Sequence, residues 1–189
     1  MNHTTQQFGT LYLDAEPQLI AQKPSAIEDI PVYNGEATIS IGNSYRGNII
    51  TWIQPNGMDI LIADRILLTK VSWDDLNKQG FVDGKEIYID GMCFRCRLLN
   101  VGNIPDISNE WDDILDIASE DDGLWHWKGM YFWGQEASMY GASLRAIRGY
   151  RSARHWSSGS AIDQSGIVGF RPALEPLGPE NPLSGKVFL

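Results

Sequence analysis

Cysteine is almost missing from this chain of 189 residues: only Cys93 and Cys96 occur, spaced C-x-x-C. Two cysteines exclude the disulfide framework of a small secreted scaffold and fit a reducing, cytoplasmic setting. Histidine is as scarce, with only His3, His126 and His155 scattered along the chain. Without a second C-x-x-C, these residues do not assemble the four ligands of a structural zinc, so no metal is expected. No apolar run approaches the roughly 20 residues of a membrane span. The N-terminus MNHTTQQFGTLYLD has neither a basic start nor an apolar signal core, so no membrane association is expected. Positive charge is also short: 15 Lys and Arg against 24 Asp and Glu give a net charge of -9, the wrong sign for generic nucleic-acid binding. No G-x-S-x-G, H-E-x-x-H or Gly-rich phosphate loop occurs, so neither an enzyme nor a cofactor is expected.

What is present is the composition of a folded protein. Apolar residues make up 43% and charged residues 21%, which favours one globular domain with a sizeable core over a disordered chain. Residues 1–30 mix polar residues with prolines and read as an extended N-terminal arm, with one strand at Gly9–Leu13. Such an arm can pack on a neighbouring subunit and build a homo-oligomer. Residues 31–189 read as a single domain. Short strands are expected at Ala37–Ile41, Asn48–Ile53 and Asp59–Ala63, punctuated by Asn34-Gly35 and Pro55-Asn56-Gly57. Ser72, with Asp75 three residues on, caps a helix over Trp73–Gln79 that Gly80 ends. Strands at Glu86–Ile89 and Phe94–Leu99 flank the Asp90-Gly91 turn. Asn109–Ala118 predicts an amphipathic helix with Trp111, Ile114, Leu115 and Ala118 on one face and the acidic residues turned outward.

The C-terminal block is the most distinctive stretch. Leu144–Ile147 reads as a strand, RGYRSARHW places Arg148, Tyr150, Arg151, Arg154, His155 and Trp156 close together, and SSGSAIDQSG reads as a loop. Ile167–Arg171 then reads as a returning strand stopped by Pro172. Upstream, LWHWKGMYFW adds Trp125 and Tyr131 to this aromatic set, while Trp111, Trp127 and Phe132 are expected inside. Arginine forks and ring faces can hold planar or anionic ligands. Trp156, in a Ser/Gly stretch, can either contact ligand or brace the loop.

NEWDDIL, LWHWKGMYFW, RAIRGYRSARHW and GFRPALE, in that order over Asn109–Glu175, resemble the C-type lectin-like family of the formylglycine-generating-enzyme type. That group includes phage receptor-binding proteins and the variable proteins of diversity-generating retroelements. The resemblance implies an α+β, C-type lectin-like fold with short helices packed on antiparallel sheets. The cysteine pair of the family's copper oxidase and the three histidines of its iron enzyme have no counterpart in this block. The Glu-Pro-Asn and Trp-Asn-Asp pattern of calcium-dependent lectins is absent too, so the seven carboxylates of Glu110–Asp122 read as a solvated helix face rather than a calcium site.

The resemblance implies a binding protein of phage or prophage origin, made in the host cytoplasm and carried on a virion. Its ligand is then a saccharide or protein of the host surface, read by Arg148, Tyr150, Arg151, Arg154, His155, Trp156, Trp125 and Tyr131. The rival reading is an intracellular anti-defence protein that sequesters a small anionic nucleotide signal or blocks a host defence protein, with the same arginines and rings on phosphate and base.

Overall fold

A computed structural model describes residues 2–20 and 29–179. Most of these residues lie in antiparallel strands, and the helices are few and short. The N-terminal stretch read as an arm enters the sheets directly. Strand β1 (His3–Gln7) pairs antiparallel with β5 (Thr51–Pro55), while β2 (Thr10–Leu13) pairs with β3 (Glu16–Pro17) and β4 (Ile39–Gly42). Leu11 is fully buried, which an independent arm would not achieve. The part of the arm spanning residues 21–28 lies outside the described residues.

Helix α1 (Trp73–Lys78) follows β6 (Leu61–Ala63) and β7 (Leu68–Thr69), and it begins as its sequence requires. The Ser72 hydroxyl accepts from the Asp75 amide and the Asp75 carboxylate accepts from the Ser72 amide, satisfying two donors the helix would otherwise leave bare. The hairpin β8 (Lys85–Ile89) and β9 (Met92–Arg97) turns at Asp90-Gly91, both at positive φ, as a two-residue hairpin turn demands. Helix α2 (Glu110–Ala118) is capped by Asn109, and a single turn, α3 (Asp122–Trp125), follows.

Five further strands complete the fold: β10 (Tyr131–Ala137), β11 (Leu144–Gly149), β12 (Trp156–Ser160), β13 (Val168–Phe170) and β14 (Ala173–Pro179). The sheets run β1-β5-β6-β14-β9-β8, β12-β11-β10-β13-β7 and β3-β2-β4. Arg171-Pro172 is where the chain leaves the second sheet for the first, rather than where strand structure stops.

Alternation along the central strands feeds two cores. Trp133, Leu61 and Leu98 join one with Trp52, Phe81 and Phe170, over which α1 lays Trp73 and Leu76. Phe132, Ile62 and Leu99 join the other, covered by Trp111, Ile114, Leu115 and Ala118 of α2. Successive strand side chains point to opposite faces, so both faces of these strands are buried and each helix closes one of them. The α2 face is the one its spacing predicts. Trp127, by contrast, is only partly buried, because its indole reaches outward to donate to the Glu120 carbonyl at 2.9 Å.

Candidate functional site

The stretch expected to be an open loop after Arg148 is a tight turn followed by a strand. Trp156–Ser160 pairs antiparallel with β11, from Arg148 opposite Trp156 to Leu144 opposite Ser160. Its serines and Gly159 have weak intrinsic strand preference, but a Cβ at Gly159 would stand 3.1 Å from the Trp133 ring. A small residue is needed there for close approach, whatever its propensity.

This hairpin brings the arginines onto α2. Arg148 is 2% exposed. Its Nε and Nη2 donate to the Val101 carbonyl at 3.0 and 2.8 Å, its Nη1 to the Arg154 carbonyl at 2.5 Å, and its Nη2 to Asp112 Oδ2 at 2.9 Å. Burial pulls this guanidinium below its ordinary pKa, and Asp112 works against that shift. Arg154 donates from Nε to Glu120 at 2.6 Å and from Nη2 to Asp116 at 2.5 Å, and its Nη1 lies 3.3 Å from Asp112 Oδ1. The Glu120 bond is the main reason its pKa is raised. Asp112 and Asp116 stand one helical turn apart, so the acidic face expected to point into solvent instead receives the arginines of the hairpin. That i, i+4 carboxylate spacing was the available sequence signal.

Trp156 donates from Nε1 to the Gly102 carbonyl at 2.9 Å and meets Tyr140 edge-on at 5.6 Å, so its polar atom is engaged in bracing. Trp125 is fully buried, edge-on to Trp111 at 5.1 Å, with Nε1 donating to the Ser119 carbonyl at 2.8 Å. Arg171 is buried too, its guanidinium 4.8 Å from the Phe132 ring centre, and it donates to the Trp125 carbonyl. Burial brings its pKa down to about 9. As ligand-contacting candidates, Arg148 and Trp125 are therefore corrected: both lie beneath the surface, where bonds to the fold occupy them. Arg154 and Trp156 reach the surface with their polar groups already committed.

The remaining candidates form a separate ledge. Tyr131 and Tyr150 stack at 5.0 Å with an 8° interplanar angle, and His155 leans on Tyr131 at 5.7 Å. The Tyr131 hydroxyl is 3.4 Å from His155 Nδ1, which is also 3.2 Å from the Gly149 carbonyl. Gly149 has φ of 112°, and a Cβ there would meet the Met130 carbonyl at 2.4 Å, so only glycine fits. Tyr150 follows at φ of 72°, a conformation that costs a bulky residue on the order of 1–3 kcal/mol. Its amide donates to the carbonyls of Trp127 and Met130 at 3.0 and 2.8 Å, and its carbonyl accepts from Gly129 at 2.9 Å. These bonds hold the strained backbone in place with the residue 37% exposed. Arg151, next in the chain, is exposed, and its side chain bonds to no described residue.

The other chemically able groups lie apart from this ledge. His126 sits at the left-handed C-cap of α3 with Nδ1 3.3 Å from the Asp64 carbonyl, and Asp64 is held by Arg65. Cys93 and Cys96 are free and buried, and burial pushes the Cys96 thiol up to about 12. Among the described residues no three His, Cys, Asp or Glu side chains converge as metal ligands. A cleft of about 500 Å³ beside Tyr33, Asp75 and Lys85, and an apolar groove of about 280 Å³ over Phe8, Leu61 and Phe94, include no residue of the ledge. The ledge is a set of half-buried to exposed rings in mutual contact, followed in the chain by the exposed Arg151. It can stack a flat or apolar ligand face and donate hydrogen bonds around it. No family model, no curated protein and no solved structure matches the chain.

Proposed function

We propose that this chain is a non-enzymatic binding protein, a C-type lectin-like domain of phage or prophage origin whose ledge takes a saccharide of a host surface. The antiparallel sheets with short helices agree with such a domain, although they are shared by many folds and functions. The observation that carries the binding reading is the ledge itself: Tyr131, Tyr150 and His155 in ring contact, Tyr150 held at φ of 72°, and Arg151 beside it. Strained backbone that several bonds hold in place clusters at functional sites, and Tyr150 is the one tyrosine, phenylalanine or tryptophan among the described residues at positive φ.

Charge bookkeeping favours a neutral sugar over an anionic nucleotide. Arg148 and Arg154 are bonded to carboxylates, Arg171 is buried, and Arg145 lies over the Trp73 ring while donating to the Ala142 and Leu144 carbonyls. Of this block's arginines, Arg151 alone among the described residues is left to meet a phosphate.

The test is titration of isotope-labelled protein with a panel of neutral oligosaccharides and, separately, nucleoside mono- and diphosphates. Saturable shifts of the Tyr131, Tyr150 and His155 ring resonances with an oligosaccharide support the reading. Shifts with the nucleotides alone, or binding that leaves these rings unmoved, overturn it.

A further inference from the structure

Among the described residues, none pairs with the outer edge of strand β1. This is the outermost strand of the six-stranded sheet, and Thr4, Thr5, Gln6 and Gln7 are exposed. Its backbone polarity can be read from its flanks. Asn56 N–H donates to the Asn2 carbonyl and Phe8 N–H to the Ile50 carbonyl. Hydrogen-bonded pairs alternate in an antiparallel ladder, so the even positions Thr4 and Gln6 bond inward to β5. The odd positions His3, Thr5 and Gln7 turn their N–H and C=O groups outward, and no described residue bonds them.

Exposed edges are normally blunted by charge, proline or a covering segment. The other described edges are blunted or partly covered: β8 carries Lys85 and Glu86, β3 carries Glu16 and Pro17, β7 is bridged by Val32, β12 is half-buried along its length, and β4, which has neither charge nor proline, alternates buried and half-buried residues and has its Ile39 N–H taken by the Gln79 side chain. His3–Gln7, HTTQQ, has no carboxylate, lysine, arginine, proline or bulge. Its side chains do not cover the edge either, since Gln6 Nε2 donates to Gln54 at 3.0 Å and Gln7 Nε2 to Thr51 at 3.4 Å, back toward the sheet.

We infer that β1 is a self-pairing edge whose partner is the β1 of a second copy of this chain. Antiparallel pairing about a two-fold axis at Thr5 sets Thr5 opposite the partner's Thr5 and His3 opposite the partner's Gln7. About six inter-chain backbone bonds result, two for each outward-facing pair, and the two six-stranded sheets become continuous. A two-fold contact uses one patch twice, which an antiparallel strand satisfies by itself. The strand fits a second copy of itself because its outward backbone groups are self-complementary about the two-fold axis and no like charges meet at the seam: each chain carries -9 overall, yet HTTQQ has no carboxylate, so repulsion acts at a distance and salt screens it. So small a contact lies at the weak end of interfaces, and the dimer is concentration-dependent. The inference is independent of the saccharide reading.

Sedimentation equilibrium tests it on the full chain, up to about 1 mM. The wild type is expected to rise toward twice its monomer mass with concentration, and further at higher salt. Thr5→Lys places two like charges opposite each other across the axis and is expected to stay monomeric with an unchanged melting temperature. Thr5→Pro removes only an outward N–H and should do the same. Amide exchange on the wild type supplies the check that needs no variant: the His3, Thr5 and Gln7 amides should slow only at concentrations where dimer forms. A wild type that stays monomeric throughout, a dimer that survives both variants, or amides indifferent to concentration each overturn the pairing.

Discussion

Two halves of one nine-residue stretch behave in opposite ways. In Arg148–Trp156, the side chains of Arg148, Arg154 and Trp156 turn inward or sideways and are bonded to Asp112, Asp116, Glu120 and the carbonyls of Val101 and Gly102. Tyr150 and His155, interleaved with them, meet Tyr131 on the ledge, and Arg151 is exposed. The same residue types serve as braces on one side and as contact surface on the other. Residue chemistry alone does not separate a binding arginine from a bracing one; the position of a carboxylate partner does.

Removing the floor under both halves breaks this contrast most severely. Trp111 is fully buried, edge-on to Trp125 and Phe132 at 5.1 and 5.0 Å, with its indole N–H on the Ala153 carbonyl at 2.8 Å. That bond ties α2 to the turn itself. Trp111→Ala is expected to cost about 4–5 kcal/mol in chemical denaturation, enough to disorder brace and ledge together. A loss below about 2 kcal/mol would mean α2 does not hold the turn.

Next in size is the buried arginine. Arg148→Met keeps most of the volume but leaves the Val101 and Arg154 carbonyls without their donor, and Asp112 with only Asn109 and Arg154 as partners among the described residues. Loss of one partner from a buried charged network costs about 3 kcal/mol. Arg154→Ala acts on a half-exposed side chain, so water replaces much of what is lost despite three carboxylate neighbours. About 1 kcal/mol is expected, and the difference from wild type should shrink as salt rises. If Arg154→Ala cost as much as Arg148→Met, the two bracing arginines would not differ in the way their burial implies.

What the sequence makes legible here is what neighbours along the chain decide. Ser72 with Asp75, the Asp90-Gly91 turn and the buried face of α2 depend on residues within a few positions, and each forms as its pattern predicts. The bonds of Arg148 and Arg154 to the carboxylates of α2 and Glu120 join residues 34 to 42 positions apart, and the i, i+4 spacing of Asp112 and Asp116 marks a carboxylate pair without saying which residue meets it. Strand β12 was hidden for the same reason: Ser157–Ser160 become a strand because β11 lies alongside, against their own propensity. Strand β1 was hidden because an exposed edge of threonine and glutamine has no apolar alternation to read. Of the eight expected contact residues, the ledge keeps Tyr131, Tyr150, Arg151 and His155. Their grouping could have been suspected from Gly149-Tyr150, where a glycine precedes a bulky residue at a turn.

The smallest expected change in stability is also the sharpest test of the contrast. Tyr150 holds φ of 72° and stacks on Tyr131. Replacing it by glycine removes a stack that contributes about 0.5–1.5 kcal/mol, and it also removes backbone strain of about 1–3 kcal/mol that glycine does not suffer. Glycine's greater freedom in the unfolded chain returns roughly 0.4–1 kcal/mol of that gain. These terms nearly cancel, so Tyr150→Gly should melt within a few degrees of the wild type. Tyr150→Ala loses the stack and keeps most of the strain, and should melt lower than Tyr150→Gly. If the ring is there for ligand, both variants bind the saccharide at least about tenfold more weakly, equivalent to 1.4 kcal/mol. Arg151→Ala then weakens binding with no change in melting, whereas Arg154→Ala lowers melting and leaves binding of the folded protein intact. The reverse pattern, with Tyr150→Gly unstable and binding sensitive to Arg154 alone, would move the site from the ledge to the arginines that meet α2.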